Sequence, residues 1–194
     1  MTSDRPRTGV LGIDPGATGA IALLSYRGGG VPVLLAVSQL PTHAIEIGKR
    51  TSKTLDAAAL ALMLGEWEHE HELRITRAIV ERVGAMPNDK SPQAFAFGRS
   101  YGAVIAALEV LGIFTTTVSP AKWREAVGVA RNTRDENADD AAHRRKIKTS
   151  ARKRAAQLWP EKADWFRRVK DADAAEAALI GLSGFTLAHP LPVR

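Results

Sequence analysis

The chain has 194 residues and no cysteine, enough for one domain with a substantial core, and it excludes a disulfide framework, thiolate zinc ligation and a cysteine nucleophile. A net charge of +6 favours a polyanionic partner over a membrane or an acidic protein surface. No apolar run approaches a membrane span, and the stretch after the polar residues 1–8 reaches Asp14 too soon for a signal peptide, so a single cytoplasmic domain over 1–194 with a flexible arm at 1–8 is expected.

In chain order, Gly9 to Ile13, Gly19 to Tyr26 and Val31 to Val37 are apolar and punctuated by Gly and Pro, which predicts three strands in an antiparallel meander with Gly28-Gly29-Gly30 in the second turn. Residues 39–53 read as a loop. Leu55, Ala58, Ala59, Leu62, Met63 and Trp67 recur at helical spacing behind Thr54 as a cap, and the helix runs on into polar Glu68 to Glu72. A strand over Ala78 to Val83 follows, then a helix from about Gln93 to Leu111 in which Gly98 and Gly102 would permit close approach to the sheet. Phe114 to Val118 is a fifth strand, Pro120 opens a short helix, and two more helices cover about Asp140 to Leu158 and Ala172 to Leu187. Strands first, then helix alternating with strand, imply an α/β fold: a five-stranded mixed sheet with helices on both faces.

Asp14 closes the apolar run Val10-Leu11-Gly12-Ile13 and opens a turn, and Glu81 ends Ala78-Ile79-Val80 in the same way. Carboxylates at the ends of neighbouring parallel strands point into the crevice where open α/β sheets bind ligands. Asp173 and Glu176, at i and i+3 on the last helix, share a face and can close such a site from a third direction. Clustered carboxylates repel unless one keeps a proton or a cation joins them, and hard oxygen donors favour Mg²⁺, with Mn²⁺ as substitute, over zinc. Two such ions about 3.5 to 4 Å apart are a recurring device for phosphodiester hydrolysis. Asp171, Asp139 and Asp140 have an ordinary alternative as helix-start or surface acids. Gly12, Gly16 and Gly19 do not form a dinucleotide fingerprint, and no Lys-Ser/Thr pair ends the loop as in a phosphate-binding P-loop, so no nucleotide cofactor is expected.

Seven cations fall within residues 144–154: Arg144, Arg145, Lys146, Lys148, Arg152, Lys153 and Arg154. Such a helix would grip phosphate backbone with little sequence reading and make binding salt-sensitive, against the alternative of a merely solvated face. His69 and His71 do not share a helix face, and Trp123, Trp159 and Trp165 are assigned to packing.

Leu11-Gly12-Ile13-Asp14-Pro15-Gly16, Ile79-Val80-Glu81-Arg82-Val83, Gly98-Arg99-Ser100-Tyr101-Gly102 and Asp173-Ala174-Ala175-Glu176-Ala177 together resemble the RuvC-type Holliday-junction resolvases of the RNase H-like superfamily, particularly its divergent phage-associated branch. The resemblance spans nearly the whole chain. It implies an RNase H-like fold and a homodimeric, Mg²⁺-dependent endonuclease that nicks opposed strands of a four-way DNA junction. Asp14, Glu81, Asp173 and Glu176 would hold metal, Lys122 would contact the scissile phosphate, and Arg99 would join the basic helix in binding DNA. Glu176 stands where the family usually has Asp. The loop after Glu81 lacks the aromatic that often wedges into the junction: Gly84 takes the nearest place, with Met86, or Phe95 and Phe97, as substitutes, although apolar residues so spaced are more often core. A related nuclease for flaps or RNA, or a catalytically silent DNA-binding member of the fold, are the alternatives.

Overall fold

A computed structural model describes residues 7–15, 19–26, 30–47, 50–82, 84, 91–129 and 140–187. The turn residues Gly16 to Thr18 and Gly28-Gly29, Val83 and Met86, and Asp139 lie outside them. In chain order the elements are β1 (Arg7–Asp14), β2 (Ala20–Ser25), β3 (Val33–Gln39), β4 (Thr42–Ile47), β5 (Arg50–Leu55), α1 (Ala57–His71), β6 (Leu73–Glu81), α2 (Ser91–Val110), β7 (Phe114–Val118), α3 (Pro120–Ala126), α4 (Asp140–Leu158) and α5 (Ala172–Thr186), with two 3-10 helices, Pro160–Phe166 and Val169–Asp171, leading into α5.

The main sheet has the order β3-β2-β1-β6-β7. β1, β2 and β3 form the expected antiparallel meander, whereas β6 lies parallel to β1 and β7 parallel to β6. Parallel neighbours need long crossovers, which α1 and α2 supply. β1 opens at Arg7, so Arg7 and Thr8 belong to the sheet and not to an N-terminal arm.

Strand alternation splits the interior into two cores. Leu11, Ile13, Ile21, Leu23, Ala78 and Val80 face α1 and α2, where Leu60, Leu64, Trp67, Val104 and Leu108 meet them. Val10, Ala22, Leu24 and Ile79 face the other way, against Ala177, Leu179, Ile180 and Trp159. Gly12, Asp14 and Glu81 share the parity of Val10 and Ile79, which turns both acids toward α5.

The structure also differs from the sequence reading at the start of β6, which is Leu73 and not Ala78, and in the following places. Residues 39–53 are not a loop, because β4 and β5 pair with each other from Thr42↔Leu55 to Ile47↔Arg50 as a separate two-stranded sheet. Their Thr, Ser and Lys content hides the strand pattern, since the hairpin is stabilised by its own backbone ladder with buried Leu55 at its base. Asp56, not Thr54, caps α1 by accepting a 2.9 Å bond from the Ala59 N–H. A side chain at Gly98 or Gly102 would meet nothing within 4 Å, so neither glycine brings α2 onto the sheet. The close approach is between α5 and strands β1 and β6: a methyl at Gly12 would overlap the Ala177 carbonyl and the Gly181 backbone, and one at Gly184 would overlap Ile79 on β6. Among the described residues no helix is long and apolar enough to cross a membrane.

Candidate functional site

The contact of Gly12 with Ala177 and Gly181 seats α5 against β1, and that seating sets the position of the helix's first turn. Asp14 at the end of β1 then faces Asp173 and Glu176, and one carboxylate oxygen from each of the three lies within 4.8 Å of the others. Ile13 pairs with Val80, so Asp14 and Glu81 are the next residues on adjacent parallel strands. Glu81 stands outside the three-acid group. Its Oε1 accepts a 2.7 Å hydrogen bond from the Trp123 indole N–H, which holds the carboxylate on the α3 side of the site.

Glu176 is buried, and its carboxyl is pushed up to about 7, first by that burial and then by Asp14, with a smaller push from Glu81. Lys148 and Arg124 oppose the rise. The Lys148 ammonium donates a 2.7 Å bond to Asp173 Oδ1. Burial alone would lower its pKa, but the bond to Asp173 and the charges of Asp173, Glu176 and Asp14 outweigh burial and raise it. Lys148, read from sequence as part of a DNA-binding face, is thus a half-exposed counterion at the edge of the acid group.

On α3 the cation that acts on Glu176 is Arg124, not Lys122, which is exposed on the same helix. The Arg124 guanidinium lies 5.1 Å from the Trp123 ring centroid, and its Nε is enclosed without a hydrogen-bond partner. The sequence held a weak signal for Arg124, adjacency to Lys122 on a predicted helix. It held none for the role of Trp123, which fills the core and also orients Glu81. Trp159 conforms to the packing assignment, fully enclosed with its indole N–H donating to the Pro32 carbonyl at 2.8 Å.

Asp171 is taken up by Arg168, which meets both its oxygens and holds the carboxyl below the usual range. It caps the approach to α5 and does not join the acid group. Within the basic helix, Arg152 donates to the Arg167 carbonyl and Arg154 to the Val127 carbonyl, whereas Arg145, Lys146 and Lys153 are exposed. The side chain of Arg144 lies outside the described residues. Arg99 is half-buried with Nε and Nη2 enclosed and unpartnered. Phe95, expected as core, is 72% exposed near the start of α2.

A mixed sheet of this order, with helices on both faces and acids at the ends of β1 and β6 and on the final helix, is an RNase H-like α/β fold. No protein-family model matches the chain, and no curated protein does. Among solved structures, the Thermus thermophilus RuvC structure matches with a TM-score of 0.57 over 95% of this chain and 99% of its own, at 19% identity. T. thermophilus RuvC in complex with Holliday junction substrate matches with a TM-score of 0.57 over 94% of this chain and 96% of its own, at 17% identity. The fold of this chain is RuvC-like.

Proposed function

We propose that this protein is a Mg²⁺-dependent endonuclease that nicks four-way DNA junctions, acting as a homodimer in cytoplasmic recombination or repair. The observation that carries this reading is the convergence of Asp14, Asp173 and Glu176 at one end of a RuvC-like sheet. The donor set fits a hard divalent ion: carboxylate oxygens only, close enough together that burial and the Asp14 charge push the Glu176 carboxyl up to about 7 despite Lys148 and Arg124. When bound, such an ion supplies an activated water and stabilises charge on the phosphate.

The chain's own groups do the rest. Asp14, Asp173 and Glu176 serve as ligands, and Glu81, held by the Trp123 indole, approaches from the β6 side. Arg124 supplies fixed positive charge beside Glu176, suited to a phosphate arriving there. Lys146 and Lys153 bind backbone phosphates, and exposed Phe95 is the aromatic available to enter an opened junction. Two symmetric nicks require two sites, which a twofold dimer provides. The uncovered face of α2 around Gly98, Gly102 and Ala106 is where a second copy would pack, leaving Phe95 at the helix start for DNA.

Synthetic four-way junctions, flaps, duplex and RNA, end-labelled and incubated with and without Mg²⁺, test the reading. Paired nicks at symmetric positions, only in the presence of the ion, are expected. Product confined to flaps or RNA reassigns the substrate, and tight junction binding without product in Mg²⁺ or Mn²⁺ makes the protein a silent binding member of the fold.

A further inference from the structure

A cavity of about 520 Å³ opens beside the acid group, between the end of β3 and the 3-10 helices that precede α5. Resting on the nuclease reading, we propose that this cleft is a base-binding subsite, which takes one nucleotide of the cut strand next to the scissile phosphate.

Continuity with the acid group is the first ground. Asp173 lines the cavity and also belongs to the three-acid group. Asp14 pairs with Ala20, and Ala20 pairs with Gln39, so the three residues stand in line across β1, β2 and β3. At about 4.8 Å per strand, Gln39 lies about 10 Å from Asp14. A strand whose phosphate sits at the acids therefore carries its neighbouring base to this cleft.

The chemistry of the walls is the second ground. Trp165 lines the cleft with an aromatic ring whose one face is covered by the Lys162 ammonium, 4.2 Å from the ring centroid, so a nucleobase would stack on the opposite face. Gln39, which shares the parity of Val37 on the α5 side of β3, brings an amide to the opposite wall, which Ser38 also lines. Lys170, exposed at the rim, adds a charge suited to the flanking phosphate. Arg168 is committed to Asp171 and shapes the wall without supplying free charge. The volume lies within the range of pockets that hold small organic ligands, about 300–1,000 Å³. An aromatic wall facing hydrogen-bonding groups confers a base preference at one position, without any wedge after Glu81.

Junctions carrying 2-aminopurine at each position around the branch in turn are titrated with the full-length protein in Ca²⁺, and the same junctions are cut in Mg²⁺. Wild type, Trp165→Leu and Gln39→Ala are compared. A fluorescence change is expected at one position beside the nick. Trp165→Leu should remove that change and slow cutting about tenfold, in line with the loss of one stacked base. Gln39→Ala should level the cutting rates of junctions that differ only in the base at that position. It decides the matter where Trp165→Leu lowers the melting temperature, because Gln39 sits at an exposed strand end. A signal at no position, or one that neither variant alters, overturns the cleft. A localised signal on junctions that are never cut in Mg²⁺ or Mn²⁺ keeps the cleft and overturns the nuclease. Cutting without a localised signal does the reverse.

Discussion

The acids at the end of the sheet and the cations of α4 are both dense in charge, yet their side chains meet different fates. Asp14 and Glu81 are aimed by the strands that carry them: alternation leaves each one direction to point, and α5 closes over that side. The cations of α4 are aimed by whatever lies next to each. Lys148 turns inward to Asp173, Arg152 and Arg154 bond backbone carbonyls, and Arg145, Lys146 and Lys153 face solvent. A charge that ends a buried strand has its direction set locally, whereas a charge on an amphipathic helix acquires a role only from tertiary packing.

That contrast can be broken at several points. Asp14→Asn removes one anion from the three-acid group and leaves α4 untouched. Cleavage of a four-way junction should fall at least about a hundredfold, while gel-shift affinity stays within about twofold. Gly181→Val should lift α5 off β1 and cost about 3 kcal/mol or more of stability in urea unfolding, because there is no space beside Gly12 and Leu24 for the added carbons.

The pH dependence of the metal-free protein sharpens the acid side of the comparison. The Glu176 carboxyl binds its proton more tightly folded than unfolded, with 4.5 raised to about 7 by burial and by Asp14. Its contribution therefore favours the folded state fully below about pH 4.5 and is lost as pH rises through about 7. That contribution is worth roughly 3 kcal/mol. Between those limits the melting temperature of wild type should fall relative to Glu176→Gln, and added Mg²⁺ should restore it at the upper end.

Trp123→Phe keeps most of the core volume and removes the N–H that holds Glu81. Turnover should fall about tenfold with junction affinity unchanged, the size expected for one hydrogen bond to a charged group. The smallest effects belong to the exposed cations. Lys146→Ala and Lys153→Ala should each lower the slope of log affinity against log salt by about one, whereas Arg154→Ala should chiefly lower the melting temperature.

Much of the sheet was legible in the sequence because its strands are apolar, although β6 begins at Leu73, five residues ahead of the expected start, where charged Arg74 and Arg77 mask the pattern. The parallel pairing of β1 with β6 was only a condition at the level of sequence, which helix-length material between the strands permits and the structure meets. The hairpin β4–β5 was not legible: its residues are mostly polar, and its strands pair only with each other, so no buried face imprints an alternating pattern. The glycines show the same limit from the other side. Gly98 and Gly102 lie at helical spacing, whereas the glycine that permits tight packing is Gly181, matched to Gly12 across a contact between the two ends of the chain. In the site, the four acids could be read as strand-end and helix-face residues. The indole bond to Glu81, the turn of Lys148 toward Asp173 and the proximity of Arg124 to Glu176 depend on where α3 and α4 dock, and no spacing in the sequence encodes that.

Anomalous diffraction from crystals of the protein soaked in Mn²⁺ would show whether the three acids hold metal. A peak bounded by oxygens of Asp14, Asp173 and Glu176, lost in crystals of Asp14→Asn, is the predicted result. Protein that cuts junctions in solution but shows no manganese at these three residues, or manganese bound only elsewhere, would contradict it.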